Sequence, residues 1–349
     1  MKRVVVKLID YAFQNEGQLI KASDDSNTMK GLKKDLDCYV VGRYGDSVAI
    51  HDVDEYKVIF LPTYFSQEDV AKYIIEKIKP DIIHIHGNHS WPQYPYYASR
   101  FRKSIKGIKL IFSPAGSSCG TPEFLSFFDN IIVNHKLQIG RMKVSGPGGR
   151  DKILVRKRCA NPDIFYADYF QRQYDFVYVA GFVPVKQIPV MIDMVATTQR
   201  TMVVLGDFTR TVEHHLYVKN YIEQNGLGHQ IFLHDFIPQE EMSTFLGQCG
   251  VFVWPNIKPE NPSTTTNRAV TEALACGMPL LLGERAFDQT NYIQKGVNGF
   301  TYSDSKIFRI YSDKIFQNIH KFRAGSITRA KTSFNYKRNF ISFYNRLYS

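Results

Sequence analysis

Twice along its 349 residues this chain runs through the same alternation of short, unbroken apolar runs and segments with helical spacing. The runs are two to seven residues long and lack the in–out alternation of a half-exposed strand, so each reads as a strand buried on both faces. The first series comprises residues 3–9, Val40-Val41, 57–61, 81–87, 109–112, 130–133 and 152–155. Between them, residues 67–79 carry Val70, Ile74, Ile75 and Ile78 at helical spacing and stop at Pro80, and residues 96–105 form a further helix candidate. The second series comprises 176–179, 202–205, 231–233, 251–254 and 280–282, with helices near 188–198 and 214–224. Strands that are buried on both faces and separated by helices give parallel sheets with helices on either side. The rhythm breaks between Cys159 and Asp175, where Asn161-Pro162 marks a turn. The fold expected is α/β, with two Rossmann-like domains: 1–165, 166–333, and an aromatic helix over 334–349.

At 44% hydrophobic and 22% charged residues, the composition is that of a globular chain. No apolar stretch reaches the ~18 residues of a membrane span. Residues 4–9 are too short for the core of a signal peptide, so a cytoplasmic location is expected. Five scattered cysteines without a C-x-x-C suggest reduced, buried thiols. The net charge of +11 favours anionic partners, whether a phosphorylated substrate, an anionic membrane face or nucleic acid.

The most informative stretch is 262–279, a polar loop leading into a short helix that ends at Gly277 and Pro279. Ser263, Thr264, Thr265, Thr266 and Asn267 suit an N-cap, and Gly277 suits the position just past the C-cap. Free N–H groups at a helix start make an anion site. A capped helix with no ligand is the plainer alternative.

Open α/β sheets place ligands at the carboxyl ends of their strands, and two such domains facing each other form a cleft. After the apolar part of the strand at 81–87, residues 81–85, stand His86, Asn88, His89 and Trp91. His84 and His86 share a strand face, but no acidic or Cys partner is near, so the choice lies between a substrate contact and structural histidines. After 109–112 comes a small-residue loop containing Ser117. After 176–179 come Gly181 and Lys186, and a lysine at a strand mouth suits a phosphate oxygen. No phosphate-binding P-loop occurs, and Asp52-Val53-Asp54 reads as a turn, not as a metal site.

In this order, these loops resemble a GT-B glycosyltransferase of the retaining family 4 (group 1), over nearly the whole chain. Asp81-Ile82-Ile83-His84-Ile85-His86-Gly87 is similar to the family's D-[VI]-[VI]-H-x-H-G strand. Residues 179–186 are similar to V-G-R-L-x-P-x-K, and 232–242 to F-x-G-x-V-P-x-E-E-[LM]. The segment from Glu272 to Pro279 is similar to E-A-[LM]-A-C-G-x-P, followed by Gly296-Val297-Asn298-Gly299-Phe300 for G-x-N-G-[FL]. The terminal aromatic helix resembles the one that crosses back to the first domain.

The resemblance implies a retaining, metal-independent hexosyltransferase of glycan or glycoconjugate assembly. Its co-substrate is a nucleotide-diphosphate sugar, of UDP or GDP type, and no cofactor is needed. The donor would meet Gly181, Lys186, Phe236, Ile237, Thr264, Thr265, Thr266, Asn267 and Glu272, with Glu272 on the ribose and Lys186 on the leaving phosphate. Lys186, Arg268 and Glu272 are the implied catalytic set. A glycan, lipid-linked or other hydroxyl acceptor would lie near His86, Asn88, Trp91 and Ser117, and peripheral contact with an anionic membrane stays open.

The chain leaves the family pattern at three points. Gly181 replaces an Arg, Thr264 a Glu and Ala115 a His. Arg268 is the candidate to supply the missing cation. These changes motivate a second reading, a GT-B binding or partner protein with impaired transfer. The charge motivates a third, a nucleic-acid-directed sugar transferase. The basic clusters at Arg100, Arg102, Lys103, Lys106 and Lys109 and at Arg150, Lys152, Arg156, Lys157 and Arg158 suit solvated faces or contacts with anionic lipid better than nucleic acid.

Overall fold

The computed structural model describes residues 2–12, 32, 35–53, 55–87, 92–114, 121–134, 139, 149–209, 211–256, 268–286 and 291–349. The chain divides into two compact units, Met1–Lys157 with Lys337–Ser349, and Arg158–Tyr336.

The first unit is built on β1 (Arg3–Ala12), β2 (Leu36–Arg43), β3 (Ala49–Val53), β4 (Tyr56–Leu61), β5 (Ile82–Gly87), β6 (Lys109–Pro114), β7 (Asn130–Val133) and β8 (Ile153–Val155). They form one sheet in the order β3-β4-β2-β1-β5-β6-β7-β8. All neighbours are parallel except β3, which runs antiparallel to β4. Asp52 is therefore a strand residue opposite Lys57, which corrects the turn expected at 52–54. β3 alternates between intermediate and exposed residues, as an edge strand does, and offered no apolar run to read.

Helix α1 (Gln67–Tyr73) continues into a π-helical turn (Ile74–Ile78) and closes with Lys79 in the left-handed region, just before Pro80. Helices α2 (Gln93–Ser104) and α3 (Pro122–Ser126) follow β5 and β6. Tyr94, Tyr97, Ala98 and Phe101 form the buried stripe of α2.

The C-terminal residues pack within this unit as a π-helical turn (Lys337–Ile341) and, in the numbering by chain order, helix α10 (Ser342–Tyr348). Their buried aromatic face covers polar groups. His84 Nδ1 is 2.7 Å from the Tyr348 hydroxyl, and His84 Nε2 is 2.7 Å from Ser113 Oγ. Arg156 donates to the Tyr344 hydroxyl at 2.6 Å and lies over the rings of Phe340 and Tyr344. Lys109 Nζ donates to the Leu347 carbonyl. Arg102 pairs with Asp129 at 2.7 Å and also donates to the carbonyls of Phe127 and Ile108. Several members of the basic clusters thus serve the unit's own structure.

The second unit carries β9 (Tyr174–Val179), β10 (Met202–Leu205), β11 (Ile231–His234), β12 (Cys249–Trp254), β13 (Leu280–Gly283) and β14 (Gly299–Tyr302). The sheet is entirely parallel, in the order β11-β10-β9-β12-β13-β14. Between the strands lie α4 (Ile188–Ala196), α5 (Val212–Gln224), α6 (Met242–Gly247) and α7 (Arg268–Ala275). Two longer helices follow, α8 (Ser305–Gln317) and α9 (Ile319–Thr332). Every residue of β10, β12 and β13 is buried, as strands covered on both faces require. Each fully buried Val, Leu, Ile or Phe of this core contributes about 1.5–3 kcal/mol.

Candidate functional site

Counted within its own unit, β9 is the first strand, and the sheet order is 3-2-1-4-5-6. Chains leaving β9 and β12 turn to opposite faces, which opens a crevice at the carboxyl ends of these two strands. The post-strand residues of β9 and β12 are therefore the first place to look for a ligand.

After β9, Ala180 to Val183 lead into a 3-10 turn (Pro184–Lys186). The Tyr178 hydroxyl donates to the Lys186 carbonyl at 2.6 Å, and Gln187 closes the turn in the left-handed region at φ 50°. A non-glycine residue there costs about 1–3 kcal/mol and persists only where surrounding contacts enforce it. The Lys186 ammonium lies over the ring of Trp254, the last residue of β12, at 5.1 Å from the centroid. Burial lowers the Lys186 pKa from its ordinary value. Among the described residues, no carboxylate pairs with it. A Cβ on Gly181, the position that carries an Arg in the resembled pattern, would meet no described atom within 4 Å.

After β12, Asn256 ties the neighbouring loops together. Its side chain donates to the Ser303 carbonyl at 2.8 Å and accepts from the Arg285 N–H at 3.0 Å. Gly283 lets the two loops meet, because a Cβ there would lie 2.2 Å from the Asn256 Cα. Gly206 does the same beside β9, where a Cβ would lie 2.1 Å from the Ala180 carbonyl oxygen.

Helix α7 ends as its sequence demands. Gly277 has φ +72°, its N–H bonds to the Leu274 carbonyl at 3.1 Å, and the Met278 N–H bonds to the Ala273 carbonyl at 2.9 Å. This double closure is a Schellman motif. At the other end, Arg268 and Glu272 form an ion pair at 3.1 Å. Glu272 is buried, whereas Arg268 is exposed on its outer side. Thr264, Thr265, Thr266 and Asn267 lie outside the described residues.

Phe236 and Ile237 follow β11, two strands from β9. Ile237 is buried and Phe236 is exposed. Asp235 Oδ1 accepts from the N–H groups of Phe236 at 2.7 Å and Phe208 at 3.1 Å, which fixes the loops after β10 and β11 relative to each other.

In the first unit, counted the same way without the β3 hairpin strand, the order again reverses at the first strand, β1, beside β5. His86 stands at the end of β5, half-buried, and its carbonyl accepts from the Tyr94 hydroxyl at 3.2 Å. Asn88, Trp91 and Ser117 lie outside the described residues. His84 is structural. It is fully buried, and desolvation together with Lys7, His86 and Arg156 drives its pKa well below the ordinary value.

At the end of β1, Asp10 is buried and takes Arg43 as its ion-pair partner. It also accepts from the Tyr97 hydroxyl at 2.6 Å. Arg43 further donates to the Phe65 carbonyl at 2.7 Å.

The sequence reading passed over Asp10, Trp254 and Asn256 as site candidates. A signal existed for each, since all three are polar or aromatic residues closing or following an apolar strand. Their partners, 29 to 87 residues away for Asp10 and Asn256, had none. Among the described residues no three His, Cys, Asp or Glu side chains gather as a metal site, and no helix is long and apolar enough to cross a membrane.

The fold and this crevice define a class. Residues 167–312 match the family model Glycosyl transferases group 1. Sucrose-phosphate synthase from Thermosynechococcus elongatus superposes with a TM-score of 0.73 at 14% identity, covering 99% of each chain. Anabaena HepE, solved in complex with UDP-glucose, gives 0.69 at 13% identity, covering 99% of this chain and 98% of that one. The α,α-trehalose 6-phosphate synthase from Burkholderia multivorans gives 0.68 at 14% identity, covering 100% and 97%. No curated protein matches the sequence. The chain therefore has the GT-B fold, with a group 1 glycosyltransferase match in its second unit, and sugar transfer is the general chemistry these likenesses support.

Proposed function

We propose that this protein is a retaining glycosyltransferase of the family 4 type that moves a hexose from a nucleotide-diphosphate sugar to an acceptor hydroxyl. The observation that carries this reading is Lys186, a half-buried ammonium without a carboxylate partner among the described residues, at the reversal point of the second sheet. Transfer breaks the bond between the sugar's anomeric carbon and a diphosphate oxygen. The electron pair stays on that oxygen, the acceptor oxygen bonds to the anomeric carbon, and the acceptor proton is released.

The chemical demand is stabilisation of negative charge on the departing diphosphate. A preorganised donor of this kind supplies roughly 3–4 kcal/mol. In this reading Lys186 fills that role, and the first-turn N–H groups of α7 add the positive end of a helix. Glu272, one turn inside α7, accepts from the ribose hydroxyls in this reading. Thr264, Thr265, Thr266 and Asn267 belong to the diphosphate loop, Phe236 and Ile237 border the base, and Gly181 leaves room beside the sugar. His86, Asn88, Trp91 and Ser117 are assigned to the acceptor. The reaction as proposed requires no metal ion.

The test is titration of the full chain with UDP, GDP and their sugar conjugates, followed by assay for transfer to glycan or lipid-linked acceptors. Binding of one nucleotide type, abolished in Glu272→Ala, together with transfer, is the expected result. Binding without transfer or donor hydrolysis would leave a GT-B binding protein instead. Absence of nucleotide binding would overturn the reading.

A further inference from the structure

Lys186 sits on an aromatic frame that spans three strands of the second unit. Trp254 is fully buried at the end of β12. Tyr178, on β9, meets the Trp254 ring edge-on, with centroids 5.2 Å apart and planes at 81°. Tyr302, on β14, donates its hydroxyl to the Trp254 carbonyl at 2.9 Å. The same Tyr178 donates to the Lys186 carbonyl at 2.6 Å. One aromatic pair thus fixes both the main chain of Lys186 and the ring beneath its ammonium.

We propose that Trp254 is a positioning residue that aims the Lys186 ammonium at the donor diphosphate while leaving its charge uncancelled. This inference rests on the donor-site reading above. A lysine at a strand mouth has three rotatable donors on a flexible stem and needs something to hold it. A carboxylate partner would hold it but would also neutralise the charge that the diphosphate requires. An aromatic face attracts the cation through its quadrupole and carries no net charge. The described residues show that second arrangement, with an indole 5.1 Å from Nζ and no acidic partner. Gly181 sharpens the need, since no side chain at that position contributes a second cation.

A plain core role for Trp254 makes different predictions. Core packing would affect every ligand alike and would be independent of Lys186. Positioning acts only on phosphate groups and only through Lys186.

The experiment is a double-mutant cycle on the full chain, read by calorimetric titration with UDP and GDP and, in parallel, with uridine and guanosine. Lys186→Met and Trp254→Leu are each expected to weaken nucleoside diphosphate binding about tenfold, the scale of a desolvated cation–π contact. The double variant should be no weaker than Lys186→Met alone, nucleoside affinity should be unchanged throughout, and Trp254→Phe should recover most of the loss. Additive losses, or equal losses for nucleosides, would overturn the proposal.

Should Trp254→Leu fail to fold, fluorinated tryptophans weaken the ring quadrupole with little change of shape. The chain has only two tryptophans, Trp91 and Trp254. Diphosphate affinity should fall stepwise with fluorine number in the native chain and stay flat in Lys186→Met; a flat native series refutes the role. If the native chain binds neither UDP nor GDP, the donor-site reading falls and takes this inference with it. If Lys186→Met weakens binding but Trp254→Leu does not, only the inference falls.

Discussion

Arg268 and Glu272 stand one helical turn apart in α7 and are bonded to each other, Nε to Oε1, at 3.1 Å. The pair is unequal, with side-chain exposures of 42% for Arg268 and 10% for Glu272. Arg268 stands where the helix dipole disfavours a cation, so Glu272 is its compensation. In the proposed site a ribose must share Glu272 with that guanidinium. Glu272→Gln should weaken nucleotide binding roughly tenfold or more, since a hydrogen bond to a charged acceptor contributes about 1.5–3 kcal/mol. Arg268→Ala should weaken binding less than Glu272→Gln does, since its contact with Glu272 is a part-exposed i,i+4 pair. Calorimetric titration and thermal melts check both.

Diphosphate binding should depend on pH through Lys186. Burial lowers its pKa, so the ammonium loses its proton at a lower pH than an ordinary lysine. Affinity is then complete below that lowered pKa and falls as pH rises through it. The alkaline limb should vanish in Lys186→Met, as measured by UDP or GDP titration across neutral to alkaline pH.

Asp10→Ala should be among the most damaging single changes in the first unit. It removes the carboxylate from a buried network and leaves Arg43 and the Tyr97 hydroxyl without it. Breaking a buried ion pair from one side costs about 3–5 kcal/mol. Urea unfolding followed by far-UV circular dichroism measures the loss.

Acid should loosen the first unit through His84. Its folded pKa lies well below the unfolded value of 6.5, so the unfolded chain binds the extra proton first. The stability present above pH 6.5 is therefore lost as pH falls below it. The slope is about 1.4 kcal/mol per pH unit for one group. Melts between pH 7.5 and 5 should show this slope, reduced in His84→Gln. Tyr348→Phe, which removes one partner of His84, should cost about 1 kcal/mol at pH 7.5.

Gly283→Ala tests the close approach beside the crevice. The added Cβ would stand 2.2 Å from the Asn256 Cα, and both atoms belong to backbone-fixed positions. A loss of about 1–3 kcal/mol is expected from overpacking, with weaker nucleotide binding as the loop after β12 shifts. Gly181→Ala, which meets no described atom, should leave stability unchanged in the same melts.

Much of the second unit was legible before any coordinates. Its central strands are unbroken apolar runs because both faces are covered, and the terminus of α7 follows from Gly277, which adopts φ +72° without the steric cost of a side chain. Several elements escaped. β3 has an edge strand's mixed pattern, and β14 is only four residues long and begins at a glycine. α8 and α9 were passed over although Asp304, whose side chain accepts from the Ile307 N–H at 2.9 Å, is an N-cap of the expected kind.

Sequence alone determined the two α/β sheets and which residues stand at the ends of their strands, because periodicity and turn chemistry act over a few neighbouring residues. Only the tertiary structure decided what those residues do to one another. Lys186 and Trp254 are 68 positions apart, and they meet because β9 and β12 are neighbours at the reversal of the sheet. His84 and His86 look alike on the strand, yet the C-terminal aromatics bury the first and desolvate it. Burial and pairing across strands depend on which distant segments cover a side chain, and no local pattern encodes that.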